Sequence, residues 1–89
     1  MTRERITLFD TTLRDGQQCP GAGMSIENNI AYSHLAANMG IDIIEAGFPS
    51  ASDVDFQIVN QIADEIKDST ISALCQLREQ QIALTAKSL

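Results

Sequence analysis

The sequence predicts an α/β fold in which parallel strands alternate with helices. Three observations predict it: short β-branched and apolar segments recur along the chain, segments with helical periodicity separate them, and glycine, proline or serine marks most boundaries. Strands that alternate with crossover helices favour a parallel sheet with right-handed connections. With 89 residues, the chain is expected to form one domain at most, in the order βαβαβα.

The first βα unit begins with a strand predicted over residues 6–9, because Ile, Thr, Leu and Phe suit a buried pleated surface. A turn rich in glycine and charge follows. Ser25 is a good N-cap for a helix predicted over residues 26–39, and Gly40 fits the C-terminal end of that helix. Four residues on one stripe of the helix are expected to face solvent: Glu27, Ala31, His34 and Asn38.

The second unit comprises a strand predicted over residues 41–46, closed by Gly47, and a helix that Ser52 caps. This helix is amphipathic. Its solvent face is predicted to consist of Asp53, Gln57, Asn60 and Asp64, and its core face of Phe56, Val59, Ala63 and Ile66.

The third unit consists of a strand predicted over residues 70–76 and a helix over 79–89. This helix carries Ile82, Ala86 and Leu89 on one side. Three parallel strands leave two unprotected sheet edges, so the sheet looks unfinished.

Composition and charge exclude several classes of partner. The net charge is −6, and the six basic residues are scattered, so no nucleic-acid partner is expected. The longest apolar runs are far shorter than the ~18–20 residues that cross a bilayer, so no membrane partner is expected. The N-terminus does not resemble a signal peptide, and Cys19 and Cys75 are expected to be free thiols in a reducing compartment. A cytoplasmic location is therefore expected.

Charged side chains follow the first two predicted strands. Asp10, Arg14 and Asp15 follow the first strand, and Glu45 lies at the end of the second. Ligands of parallel α/β proteins bind beyond the carboxyl ends of strands, and neighbouring strands lie about 5 Å apart. These four groups are therefore predicted to converge on a pocket for a divalent cation and an anionic, oxygen-rich substrate. A simple Asp10–Arg14 ion pair that fixes the loop is the alternative.

Two motifs carry a resemblance to a known family. The stretches FDTTLRDGQQCPG and IDIIEAGFPSAS occur in that order, and the chain ends in ISALCQLREQQIALTAKSL. This sequence resembles the metal-dependent, barrel-fold family of Claisen-type acyl synthases and lyases, which includes homocitrate synthase, citramalate synthase and hydroxymethylglutaryl-CoA lyase. Within the family, DTTLRDG and the Pro-Gly after it are most similar to the 2-isopropylmalate synthases.

The resemblance implies a particular fold and domain organisation. It identifies the three units as the first part of a (β/α)8 TIM barrel, a fold of about 250 residues. Residues 1–89 are then the N-terminal portion of the catalytic barrel domain. The remainder of the barrel and a C-terminal regulatory domain are expected to be absent from this chain, which is therefore expected to be inactive alone.

The resemblance also implies a reaction and its participants. Acetyl-CoA would condense with 2-oxoisovalerate to give 2-isopropylmalate in leucine biosynthesis, with a divalent metal, Mn²⁺ or Mg²⁺, as cofactor. Small molecules, a 2-oxo acid and acetyl-CoA, are then the partners. Independently of the resemblance, the unprotected strand edges predict a homo-oligomer. Homocitrate or citramalate synthesis is the alternative reaction.

Individual roles follow from the same resemblance. It implies that Asp15 ligates the metal, and that Arg14 binds the keto acid and stabilises developing negative charge. Gln18 would lie near the substrate, and Glu45 would form part of the pocket wall. Gln17 departs from the family pattern, because glutamate often occupies this position.

Two readings without synthase chemistry stay open. A small flavodoxin-like or receiver-like module could bind magnesium through Asp10 and Asp15, but it would need further strands and a lysine near a later strand end. A self-associating βα module could instead pair its exposed edges and apolar helix faces between copies.

Overall fold

A computed structural model describes residues 4–18 and 23–89, and of Gln18 it describes only the backbone. The order βαβαβα predicted from the sequence is confirmed. The strands are β1 (Phe9–Asp10), β2 (Ile43–Glu45) and β3 (Thr70–Ser72); the helices are α1 (Ile26–Asn38), α2 (Asp53–Glu65) and α3 (Glu79–Ser88), and a short 3-10 helix (Gly16–Gln18) follows β1. Cys19 and the Gln18 side chain lie outside the described residues.

The three strands form one parallel sheet in the order β1-β2-β3, as predicted. Each strand is shorter than its predicted span. At the start of the sheet, the amide of Leu8 donates to the Asp42 carboxylate (2.9 Å) instead of a neighbouring carbonyl. The β1–β2 pairing still begins there, because the amide of Ile43 donates to the carbonyl of Leu8 (3.0 Å). A side chain therefore replaces the first link of the ladder.

Helices α1 and α2 each begin after a serine whose side chain caps the helix, whereas α3 begins after Arg78 without a side-chain cap. The hydroxyl of Ser25 accepts a hydrogen bond from the amide of Asn28, and that of Ser52 accepts one from the amide of Asp55, both at 3.1 Å. After α1, Gly40 has a φ of +88°, a conformation that glycine adopts without steric cost. None of the helices in residues 4–18 and 23–89 has the length and apolar character needed to cross a membrane.

The hydrophobic core lies between the sheet and the helices. It consists of Leu13, Ala36, Ile44, Ala46, Val59, Ile62 and Ile66. Because successive strand residues point to opposite faces, Ile44 faces this core, and its neighbours Ile43 and Glu45 face the other side of the sheet. Phe9, the register partner of Ile43, is 52% exposed. One face of the sheet is therefore packed against the helices, and the other is exposed at Phe9.

Helix α3 packs through its polar side. Thr85 and Ser88 are buried, and the side-chain amide of Asn60 on α2 donates to the carbonyl of Ser88 (3.2 Å). Ile82 and Leu89, which the sequence places on the apolar side of the helix, are exposed. The apolar residues of α3 thus face away from the core of this chain.

Candidate active site

A tight turn carries the charged residues that follow β1. The carbonyl of Thr11 accepts hydrogen bonds from three consecutive amides, those of Arg14 (3.2 Å), Asp15 (2.8 Å) and Gly16 (3.2 Å). The buried side chain of Leu13 anchors the same turn in the core. The amides of the turn are thus hydrogen-bonded within the turn itself, so the side chains of Arg14 and Asp15 are not needed to stabilise it. They project beyond the carboxyl end of β1.

Arg14 and Glu45 form an ion pair that joins the carboxyl ends of β1 and β2. The distance between Arg14 Nε and Glu45 Oε1 is 2.5 Å, and the two side chains are 25% and 11% exposed. The hydrogen bond to Glu45 raises the pKa of Arg14 above its ordinary value, and the charges of Glu45 and Asp15 add to this effect although partial burial opposes it. The guanidinium group therefore stays charged and has a defined orientation.

Asp15 lies beside this pair with an accessible carboxylate. Its Oδ1 is 3.7 Å from Arg14 Nη1, and its side chain is 65% exposed. Within the described part of the chain, no group of three or more histidine, cysteine, aspartate or glutamate residues is arranged to hold a metal ion. Asp15 can therefore offer oxygen atoms to a cation, but the described residues alone do not complete a metal centre.

Asp10 does not join the other charged residues. It is the register partner of Ile44, which faces the helices, so its carboxylate turns toward α1. There it accepts hydrogen bonds from the amide of Thr12 and from the hydroxyl of Tyr32, both at 2.8 Å. The structure thus brings together three of the four predicted groups, and the alternative Asp10–Arg14 ion pair is not among the ion pairs of the described residues.

Tyr32 is a residue of this region that sequence reasoning missed. Its hydroxyl lies 3.2 Å from Thr12 Oγ1 as well as 2.8 Å from the carboxylate of Asp10. The hydrogen bond with Thr12 lowers the pKa of Tyr32, but partial burial and the neighbouring Asp10 carboxylate outweigh it, so the net pKa is raised. Tyr32 therefore stays protonated and ties α1 to the start of the turn. A lone tyrosine on a helix gives no sequence signal of such a contact.

Arg14 lines a cavity of about 480 Å³ beside the strand ends. The first turns of α1 and α2 and the loop after β2 form its other walls. Its apolar lining residues are Leu13, Met24, Ile26, Ala46, Phe48, Ala51, Val54 and Ile58. Its other polar lining residues are Gln17, Ser25, Asn29 and Asp55, so the cavity combines one guanidinium group with a wall of mixed apolar and polar side chains.

A parallel sheet with helices along one face, and with a guanidinium group and carboxylates beyond the carboxyl ends of its strands, is the arrangement of barrel-type α/β enzymes. Comparison with known families agrees with this class. The chain belongs to the HMGL-like family, whose model matches residues 5–88. That family is part of the TIM-barrel superfamily, so the predicted fold class, three parallel βα units of such a barrel, is confirmed.

Similar proteins extend along nearly the whole chain. The 2-isopropylmalate synthase of Methylorubrum populi is 49% identical over 81 residues, which are 91% of this chain and 16% of the relative. Those of Aquifex aeolicus (46% over 86 residues) and Caulobacter sp. (45% over 87 residues) cover 97% and 98% of this chain. The chain spans 16% and 17% of these two relatives' lengths.

Proposed function

We propose that residues 1–89 form the first three βα units of the catalytic barrel of a 2-isopropylmalate synthase. Such an enzyme is an acyltransferase that condenses acetyl-CoA with 2-oxoisovalerate in leucine biosynthesis. Membership of the HMGL-like family and the names of the three relatives support this proposal. The complete enzyme would then act in the cytoplasm on small molecules, and these 89 residues alone are proposed to be inactive.

One observation carries the chemical part of the proposal, namely the orientation of Arg14 by Glu45. Arg14 Nε is committed to Glu45, so the terminal nitrogens remain to bind the carboxylate or ketone oxygen of a 2-oxo acid. When the ketone carbon is attacked, its oxygen becomes negative, and a fixed guanidinium group stabilises that charge without reorganising. Arg14 is thus proposed as the catalytic and substrate-binding cation, and Glu45, which lies behind it and outside the cavity lining, as the group that orients it.

We propose that Asp15 contributes one ligand to a divalent cation, Mn²⁺ or Mg²⁺. Such ions bind about six oxygen ligands, whereas the described residues offer this one accessible carboxylate next to Arg14. The described residues therefore do not fit a complete metal site, and the other ligands would come from elsewhere in the barrel. Gln18, whose side chain lies outside the described residues, is proposed to contact the substrate.

The wall of the cavity favours a branched aliphatic substrate over one with a second carboxylate. The cavity lining includes Met24, Phe48 and Ile58, which offer apolar contacts, and the carboxyl-bearing Asp55, which would repel a second carboxylate. Arg14 is the one basic residue in the described lining, so a second carboxylate would find no further cation there. This observation supports 2-oxoisovalerate over the 2-oxo diacid of a homocitrate synthase.

A chimeric enzyme tests the proposed function. Residues 1–89 would replace the matching segment of the Aquifex aeolicus synthase, and thiol release from acetyl-CoA would be measured with 2-oxoisovalerate, pyruvate or 2-oxoglutarate. We expect activity with 2-oxoisovalerate, a loss of about a hundredfold or more in Arg14→Lys, because lysine cannot reproduce the planar fork, and little change in Arg5→Lys. A folded chimera that prefers another 2-oxo acid, or that ignores Arg14→Lys, would refute the proposal.

The open sheet face suggests how copies of this chain alone would behave. Phe9 on that face is half exposed, and Leu77, Ile82 and Leu89 near α3 are exposed as well. In a closed barrel such surfaces pack against further strands and helices. We propose that the isolated chain forms homo-oligomers through these surfaces and the strand edges.

A further inference from the structure

Gln17 and Asn29 form a hydrogen-bonded amide pair beneath the turn that carries Arg14. Gln17 Nε2 donates to Asn29 Oδ1 (2.6 Å) and to the carbonyl of Leu13 (2.8 Å). Gln17 Oε1 accepts from the amide of Met24 (3.3 Å). Asn29, which is 2% exposed, donates through Nδ2 to the carbonyls of Met24 (3.2 Å) and Ser25 (2.8 Å). The two amides thus connect the turn to the first turn of α1.

The polarity of these bonds permits only one orientation of each amide. Both hydrogens of Asn29 Nδ2 point to carbonyl oxygens, so its Oδ1 must accept from Gln17. Likewise, Gln17 Nε2 donates to the oxygen atoms of Leu13 and Asn29, and Gln17 Oε1 accepts from the amide of Met24, so the Gln17 amide cannot be turned around. A carboxylate at position 17, which is half-buried, would set oxygen against the oxygens of Leu13 and the buried Asn29.

This pair acts on the backbone next to Arg14. The carbonyl that Gln17 holds belongs to Leu13, the residue directly before Arg14, while the carbonyl of Thr11 holds the amide of Arg14 from the other side. Gln17, Asn29 and Arg14 also line the same cavity. The position from which the guanidinium group leaves the backbone therefore depends on both contacts.

We propose that Gln17 and Asn29 are a matched pair of positioning residues for Arg14. Glutamate at position 17 is compatible with this turn only when position 29 carries a cation in place of the asparagine. The effect of this pair on catalysis rests on the proposed function, whereas the pairing of Gln17 with Asn29 can be tested without substrate.

Thermal unfolding of four versions of the chain tests the matching. These are the unchanged chain, Gln17→Glu, Asn29→Lys and the double variant. Asn29→Lys leaves a buried charge without a partner and Gln17→Glu sets a half-buried carboxylate against two oxygen atoms, and we expect each to lower Tm by about 10 °C. The double variant pairs the two charges, so we expect it to recover at least about half of that loss. A double variant as unstable as the sum of the single changes, or one that does not fold, overturns the proposal.

A second measurement separates positioning from general stability. In ¹⁵N NMR spectra, the Nε–Hε resonance of Arg14 reports its hydrogen bond to Glu45. We expect this resonance to move in Gln17→Glu and to return in the double variant. Asn60→Ala, which removes a contact between α2 and α3, is the matched control that lowers Tm and leaves the resonance unmoved.

The milder Gln17→Met variant serves if Gln17→Glu does not fold. It removes the same hydrogen bonds without adding charge, and the Arg14 resonance is again expected to move. An unmoved Arg14 resonance in a folded Gln17 variant would contradict the positioning role. Because no substrate is present, this failure is distinct from a failure of the proposed synthase function.

Discussion

The two ends of the sheet each carry an arginine paired with a carboxylate at 2.5 Å, yet the two pairs serve different purposes. At the amino end, Asp42 binds Arg5 and also accepts a hydrogen bond from the amide of Leu8, so its side chain takes the place of a carbonyl between β1 and β2. At the carboxyl end, Glu45 holds Arg14 beside a cavity. An ion pair by itself therefore identifies no functional site. Its surroundings decide whether it stabilises the start of the sheet or orients a charged group toward a cavity.

Exposure separates the two pairs as well. The Arg5 side chain is 82% exposed, so water and salt screen its interaction with Asp42. The Arg14 side chain is 25% exposed and lines a cavity of mixed apolar and polar side chains, so water screens its interaction with Glu45 less. In barrel folds, the amino end of the strands serves stability and the carboxyl end serves chemistry. The four predictions below test this division, from the largest expected effect to the smallest.

The largest contrast is expected between Glu45→Gln and Asp42→Asn in the chimeric synthase. Glu45→Gln removes the charge that orients Arg14, and small misplacements of such a group cost about a hundredfold in rate. Asp42→Asn lies at the other end of the sheet, so kcat/KM should stay within about twofold. Steady-state thiol release measures both. Equal losses of kcat/KM in the two variants would show that the amino and carboxyl ends of the sheet do not differ in function.

Substitutions at the amino end of the sheet should lower the stability of the fold rather than the catalytic rate. Asp42→Ala removes the acceptor for the amide of Leu8 as well as the partner of Arg5, and we expect Tm to fall by about 5 °C. Arg5→Gln removes only an exposed charge and should lower Tm by much less. Circular dichroism melts check both variants. If Arg5→Gln lowers Tm as much as Asp42→Ala does, the ion pair with Arg5, and not the hydrogen bond to the amide of Leu8, accounts for the stability that Asp42 contributes.

A pH dependence follows from the same contacts. The hydrogen bond from Leu8, and then that from Arg5, lower the pKa of Asp42 below its ordinary value of 3.8. A lowered folded-state pKa gives stability that is present above the unfolded pKa and is lost as the pH falls through the folded pKa. Tm should therefore drop less between pH 5 and pH 2 in Asp42→Asn than in the unchanged chain. Identical pH profiles would show that Asp42 contributes nothing.

The smallest expected effect is that of salt on the exposed pair. At about 1 M salt the screening length is about 3 Å, so the Arg5–Asp42 attraction should be largely lost. The Tm difference between the unchanged chain and Arg5→Gln should shrink toward zero between about 0.05 M and 1 M NaCl. A difference that does not change with salt would indicate that Arg5 acts through packing.

Local chemistry made much of the fold predictable. Ser25 and Ser52 cap the helices as expected, because a cap depends on a side chain and the next few amides. The solvent stripe of α1 and the solvent face of α2 are exposed as predicted. These features need no information about distant parts of the chain.

Features that depend on register or on distant partners were not predictable. Asp10 faces the helices because of the pairing of β1 with β2, which strand propensity does not specify. Asn29 and Ser33 are buried in α1 because their side chains bond to nearby carbonyls, so periodicity of apolar residues misses them. Helix α3 exposes Ile82 and Leu89 because its packing partner on α2 offers a polar surface there.

The central claim is that Arg14, held by Glu45, binds the carboxylate or ketone oxygen of a 2-oxo acid at the carboxyl end of the sheet. The most direct test is a ¹⁵N NMR titration of the chain with 2-oxoisovalerate, in which the side-chain resonances of Arg14 and Arg5 are followed together. We predict a saturable shift of the Arg14 resonance and none for Arg5. Equal shifts at the two arginines, or a shift at Arg5 alone, would contradict the claim.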